Sequence, residues 1–377
     1  MSLVSLQGCE AGLGRPLSRL ALVATIVGIG AFLVGLFAGQ AATALSVLDA
    51  SFLFFAGLSA GSVALAAAVR IASGRWAEPI LPVAEAGVGF FLPALAVLVL
   101  LVLCARLFVP WTHGAGALGL LGLAARLLIP TGVLFFLGVR FVAGATGQKA
   151  ELYRPTTAAV AYCAVYAIAL SFWAYDLVMR LSTGPSATVI PAYYFVGAFL
   201  SGFAWVALVT AIRGTSGPDL RHDVGKLLFG FIIVWTYLLW SLFLATWYAN
   251  VPEESAPLLL RWQGSYRPVT QAVLLAVFFW PFWLLFSERF KRRRGTLAFG
   301  AATVLLGLWA ERFLLVLPSL HLRGGPTSIL VGAGVAAGMA GLFLLSVGSR
   351  LAASSSAGEP ADPAAQGGSA GAAARST

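Results

Sequence analysis

Charged residues are scarce in this chain. They make up 10% of its 377 residues, whereas soluble domains carry roughly 25%. That scarcity, with 60% hydrophobic residues, excludes a string of soluble domains and excludes disorder over most of the length. Cysteine is nearly missing: Cys9, Cys104 and Cys163 form no close pair and no CxxC or CxxCH motif, so neither a disulfide framework nor covalent haem attachment is encoded. The three histidines, His113, His222 and His321, are far apart, which argues against a His-ligated metal or haem. No GxxxxGK[ST] loop occurs, so the chain does not drive itself with ATP. It also lacks an iron–sulfur ligand set, so it carries no electrons alone. No nucleophile and base stand together as a catalytic pair, and no catalytic residue is assigned.

Long apolar runs remain. A hydrocarbon core about 30 Å thick needs about 20 apolar helical residues. Ten segments qualify: about Leu20–Ala38, Leu48–Val69, Ala86–Phe108, Gly116–Val142, Thr156–Val178, Pro191–Ile212, Leu227–Ala249, Pro268–Ser287, Thr296–Leu317 and Ser328–Val347. They do not alternate as barrel strands would. The expected fold is therefore an all-α integral membrane protein of about ten helices, since a helix satisfies its own backbone in lipid. A short segment, 1–18, precedes a membrane domain at 19–349. From 350 to 377 the chain turns to Ala, Ser, Gly and Pro and reads as a disordered tail. The first run resembles a signal peptide, with Ala42-Thr43-Ala44 as a cleavage site, but its apolar stretch is longer than the usual h-region and it reads as a retained helix.

Basic residues are unevenly shared. Seventeen lie at the N-terminus and in every second loop, six in the other loops, and Arg126 inside the fourth run. The positive-inside rule then places both termini in the cytoplasm. The net charge of +10 is mostly this asymmetry, which argues against nucleic acid as a partner.

Polar residues at membrane depth are costly and usually functional. Five places stand out. At the entry to the seventh run, His222 and Lys226 share one helical face and Asp223 pairs in spacing with Lys226; this is either a charged helix start in the headgroup layer or the mouth of a proton path. At its exit, Glu253 and Glu254 follow Pro252. Asp176 ends the fifth run and Asp49 opens the second, at similar depth. Arg126 interrupts the fourth and must find an interior partner. Glu288 precedes a basic cluster, and Glu311-Arg312 sit late in the ninth, expected to diverge towards other partners. Lys226 to Asn250 spans about 36 Å of helix, too far for one turn to bridge. Any path along the seventh helix then needs interior groups, for which Thr236, Tyr237, Ser241 and Arg126 are the candidates.

One stretch is more specific. His222-Asp223-Val224-Gly225-Lys226-Leu227-Leu228-Phe229-Gly230-Phe231, then Trp235-Thr236-Tyr237, Ser241, Trp247-Tyr248-Ala249-Asn250-Val251-Pro252-Glu253-Glu254 and Arg261 resemble the F subunit of bacterial alternative complex III. That family belongs to quinol:acceptor oxidoreductases and to the polysulfide-reductase-like (NrfD-like) class. Ser171-Phe172-Trp173-Ala174-Tyr175-Asp176 and the helix start at Pro191-Ala192-Tyr193-Tyr194 are similar to it as well. The chain departs from the pattern after Asp176, where the family usually has an Asp-Trp pair and this chain has Leu177, and at Leu242, where Gln is common. The resemblance is clear over about 155–290.

The resemblance implies two four-helix bundles, about 47–178 and 191–317, with one flanking helix at each end. It implies a subunit of the bacterial inner membrane that carries no redox centre of its own. Its partners would be an iron–sulfur subunit, haem c subunits and a related membrane subunit. Its role would be scaffold, with a candidate proton pathway through His222, Asp223, Lys226, Tyr237, Ser241, Glu253, Glu254, Asp176, Asp49 and Arg126. No cofactor is expected on this chain alone, and whether quinone or quinol binds here stays open. The alternative is a stand-alone secondary transporter, a class with Gly- or Pro-broken helices; Pro130 and Pro281 fall inside runs.

Overall fold

The computed structural model describes residues 14–146, 155–181, 188–214, 217–249, 251–320 and 325–356. Among them there is no strand, and ten helical segments are long and apolar enough to cross a membrane. These are α1 (Arg15–Phe37), α2 (Ala41–Ile71), α3 (Arg75–Leu103), α4 (Ala117–Gly144), α5 (Thr157–Leu181), α6 (Ile190–Arg213), α7 (Pro218–Ala249), α8 (Gly264–Phe286), α9 (Arg294–Leu320) and α10 (Pro326–Ala353). Ten crossings leave Arg15 and Ala353 at one face, called here the terminal face. Of the expected tail, residues 350–356 continue the last helix, and 357–377 lie outside the described residues, as do 1–13.

Helix α2 is the hub. Its apolar window is 94% buried, against 17% for α1 and 22% for α7. It packs on α5, α6, α9 and α10. Small residues permit this closeness: an added Cβ at Gly61 would overlap the Ala198 carbonyl, and one at Gly202 would overlap the Ser62 backbone. Without a hydrophobic drive between helices in lipid, such close backbone contact supplies much of the attraction. The same device joins α1 to α10, where Gly28 and Gly338 face each other with no room for a side chain. Tyrosine hydroxyls add cross-links. Tyr162 donates to the Ala60 carbonyl at 3.0 Å, Tyr166 to Phe195 at 2.8 Å and Tyr194 to Leu53 at 2.9 Å.

Three elements depart from simple rods. Helix α3 starts well before the apolar run at Ala86, through a 3₁₀ turn at Arg75–Ile80 and short turns around Pro82. Glu78 and Glu85 hid that start in the sequence, but Glu85 is buried against Arg70 of α2. Helix α8 carries a π-turn at Leu275–Phe279, just before Pro281. Between α7 and α8 lies a short helix, Pro252–Trp262.

Candidate functional site

Two buried charged clusters lie towards the face opposite the termini. The first joins α4 to α5. Asp176 is fully buried and accepts Arg126 Nε at 2.9 Å on Oδ2 and Arg126 Nη2 at 2.8 Å on Oδ1. Arg180, one turn on, reaches the same Oδ1 at 3.3 Å and lays its guanidinium 3.5 Å from the Trp111 ring centre. Arg126 thus finds the interior partner that its depth demands. Two guanidiniums thus give both oxygens of one carboxylate a charged partner.

The second cluster sits between α2, α6, α7 and α9. Glu311 and Arg312 were expected to diverge; instead the Arg312 guanidinium folds back to 3.2 Å from the Glu311 carboxylate. A long arginine stem can turn along its own helix, and in this interior its neighbour is the available counter-ion. The guanidinium also lies 4.5 Å from the Tyr194 ring centre, a favourable cation–π geometry. Gly197 leaves it space: an added Cβ there would stand 2.6 Å from Arg312 Nη2 and 3.4 Å from Trp235 Nε1. The Trp235 ring packs against Tyr193 at 5.6 Å. Asp49, fully buried on α2, lies within electrostatic range of Tyr194.

This cluster is short of partners. The buried Arg312 nitrogens meet only the Glu311 carboxylate as a polar partner, an ion pair at 3.2 Å, and the Tyr193 hydroxyl also reaches Glu311. Both Asp49 oxygens and Trp235 Nε1 are buried without a hydrogen bond to any described residue. Each such group costs about 1–3 kcal/mol or more when left so, and native proteins keep few of them without a reason. Nearby, Arg261 of the short helix donates through Nε to the Leu314 carbonyl at 2.8 Å and through Nη2 to Leu315 at 3.0 Å, capping the end of α9.

The remaining sequence candidates fare differently. His222, Asp223 and Lys226 share one turn at the terminal face; Lys226 and Asp223 are 3.6 Å apart and well exposed. His222 Nδ1 is covered and meets no described partner. Around them Arg292 bonds Asp219 at 2.6 Å and Glu288 at 2.9 Å. The Arg292 hydrogen bond, more than its charge alone, holds the Glu288 carboxyl below the usual glutamate range. Lys291 is buried over the Phe229 ring at 5.3 Å, and burial lowers its ammonium pKa.

Tyr237 and Ser241 are a correction. They do not line an interior path: Tyr237 is 66% exposed, and the Ser241 hydroxyl donates back to the Tyr237 carbonyl at 2.9 Å. Thr236 bonds its own helix likewise, at Ile232. Helix α7 turns its other side inward, through Leu228, Ile232, Trp235 and Leu242. Because α7 is apolar all round, its sequence gives no face to choose. Glu253 and Glu254 open the Pro252–Trp262 helix, but their side chains lie outside the described residues, as does Asn250. Asp49 and Asp176, similar in depth, belong to different clusters.

Sequence reasoning missed Tyr194, Trp235 and Glu85 as members of polar sites. Tyr194 and Trp235 lay inside the quoted motifs, but aromatic residues in apolar runs look like packing. An apolar cavity of about 290 Å³ also opens between α9 and α10, lined by Phe54, Phe55, Trp205, Leu306, Trp309 and Phe343 among others. Its walls are almost entirely carbon. It would suit a hydrocarbon tail but offers a quinone ring no hydrogen-bonding group, so these residues do not fit a complete quinone site.

The fold and these clusters define a multi-pass, all-α membrane protein. No family matches the chain, and no curated protein matches it.

Proposed function

We propose that this chain is a membrane subunit of a quinol-oxidising respiratory complex of the alternative complex III type, and that its own chemistry is proton handling. The observation that carries the proton role is the Asp49 carboxylate, buried without a hydrogen bond at membrane depth in the cluster that also holds the buried Glu311–Arg312 pair. Ionisable groups are expensive there and are retained chiefly for ion or proton movement. The Arg312 and Arg261 guanidiniums both act on Glu311, whereas Asp49 has no ion-pair partner among the described residues, so Asp49 is the group of the cluster that would carry an exchangeable proton. Gaining or losing that proton is a natural unit of transfer.

Towards the terminal face, covered and unpaired hydroxyls at Ser51 and Ser59 on α2, and the Glu85–Arg70 pair beyond them, offer groups for a relay. The route therefore follows α2 rather than α7. The resemblance of the stretch from His222 to Arg261 to the F-subunit family is what suggests the host complex; electrons would pass through partner iron–sulfur and haem c subunits. With the terminal face cytoplasmic, as the basic residues favour, the cluster sits on the far side of the bacterial inner membrane.

The test starts with the tagged chain purified from native membranes in mild detergent. Co-purification with haem c and iron–sulfur subunits is expected; a chain that purifies alone with its membrane activity intact supports a transporter instead. In the assembled complex, Asp49→Asn and Glu311→Gln should lower the proton-to-electron ratio while quinol oxidation continues. An unchanged ratio in both removes the cluster from proton handling.

A further inference from the structure

Three acids stand around the terminal end of α7, and each already has a cation. Arg292 takes Asp219 at 2.6 Å and Glu288 at 2.9 Å, and Lys226 takes Asp223 at 3.6 Å. A buried cation is left over. Lys291, in the α8–α9 connection, is only 8% exposed. Its ammonium forms no hydrogen bond or ion pair with a described residue. Glu288 is near, but its carboxylate is engaged by Arg292 at 3.2 and 2.9 Å. A charge buried to this degree without a counter-ion is costly.

The surroundings of Lys291 are built to receive it. Its stem lies on α7 where Gly225 makes room: an added Cβ there would stand 3.1 Å from Lys291 Cγ and 3.2 Å from Lys291 Cβ. Its Nζ lies 5.3 Å from the centre of the Phe229 ring. His222, Gly225, Lys226 and Phe229 follow one another at the spacing of a single helix face. That face therefore gathers two ammonium groups and an imidazole beside one aromatic ring. His222 Nδ1 is covered and bonds no described residue, while Lys226 stays exposed at the rim. Burial first, and the neighbouring Lys226 charge second, hold the Lys291 pKa below the usual lysine range. The arrangement lacks an anion. A carboxylate would have to share two oxygens among three donors, whereas a phosphate group brings three strong acceptor oxygens. Lysine binds phosphate as a point charge.

We propose that His222, Lys226 and Lys291 bind one phosphate group, with Lys291 as its buried partner and Lys226 closing over it from the rim. The group belongs either to a phospholipid, since Leu227 beside the site begins the apolar run and places it at headgroup level, or to free phosphate. This reading stands apart from the proton role of Asp49.

The test uses the full chain, with the subunits it retains, in a phosphate-free maltoside detergent. Amine-reactive labelling of Lys226 and Lys291 is read by peptide mass spectrometry at fixed pH. One arm titrates inorganic phosphate. The other compares phosphatidylglycerol bilayers with bilayers of a phosphate-free galactolipid. Protection of both lysines is expected. Saturable protection by inorganic phosphate assigns a free anion, and protection by phosphatidylglycerol alone assigns a headgroup. Lys226→Gln, at the exposed rim, should weaken the protection of Lys291 about tenfold, as loss of a charged hydrogen bond implies. Asp223→Asn frees Lys226 from its acid and should strengthen protection severalfold. Lys291→Met keeps the stem over Gly225 and should abolish protection of Lys226. If Lys291→Met does not fold, the opposite signs of Lys226→Gln and Asp223→Asn decide. Labelling that neither probe slows overturns the proposal. So does equal protection in those two variants. Protection that ignores phosphate and vanishes when other subunits are released overturns it too, since Lys291 would then face a partner's carboxylate.

Discussion

Arg126 and Asp176 meet as a two-pronged pair, Nε to Oδ2 at 2.9 Å and Nη2 to Oδ1 at 2.8 Å, across α4 and α5. They are fifty residues apart in sequence. A carboxylate with no exposure, shared with Arg180 at 3.3 Å, is held for structure or charge placement rather than for exchange. Breaking such a pair costs about 3–5 kcal/mol, whereas replacing both partners with apolar residues is often neutral. Asp176→Asn should therefore lower the melting temperature in detergent clearly, and Arg126→Met with Asp176→Leu should recover most of the loss. Equal loss in single and double variants would show that the two residues do not act as a pair.

Arg312 and Glu311 should show the same coupling more strongly, since their side chains are 1% and 5% exposed. Arg312→Met leaves the buried Glu311 carboxylate without its ion-pair partner, and a loss of about 3–5 kcal/mol is expected. Adding Glu311→Gln to that variant should restore part of it. The difference between single and double changes, read from denaturation in detergent, measures the coupling. A value near zero would mean that the 3.2 Å approach has no energetic content.

The Arg292 hub should make the terminal face acid-sensitive. Glu288 has a lowered pKa in the folded protein, chiefly through the Arg292 hydrogen bond. A depressed carboxyl stabilises the fold above its unfolded value, near 4.3, and that contribution disappears as pH falls through the lower folded value. Protection against hydrogen exchange at the start of α7 and in the α8–α9 connection, relative to the intrinsic rate at each pH, should therefore fall below about pH 4. In Glu288→Gln that dependence should be flat from neutral pH downward. A wild-type profile in this variant would move the acid sensitivity to another group.

Gly28 and Gly338 set how closely α1 sits on α10. A methyl group at either position collides with backbone, and overpacking of this kind typically costs about 1–3 kcal/mol. Gly338→Ala should loosen α1 without unfolding the hub, seen as faster proteolysis after α1 and unchanged melting of the rest. Unaltered proteolysis would show that the α1–α10 contact tolerates a shift.

How much of this was legible in the sequence depends on the kind of signal. Ten spans could be counted, because burial in lipid demands some twenty apolar residues per crossing and the composition states that directly. Arg126 announced an interior partner, because a guanidinium at that depth must have one. Asp49 announced itself in the same way. Which partner Arg126 takes was not readable, since Asp176 lies on another helix and nothing local selects it.

The inward face of each helix was decided only by packing. In a soluble helix the polar side marks the solvent; in α7 both sides are apolar, so Tyr237 looked as interior as Trp235. Close glycine crossings chose the neighbours of α2 and α10, and they brought Asp49, Tyr194, Trp235 and Arg312 from four helices into one place. Local composition sets how many helices cross the membrane. Their rotation about their own axes, and so the chemistry they enclose, follows from contacts between residues distant in the chain.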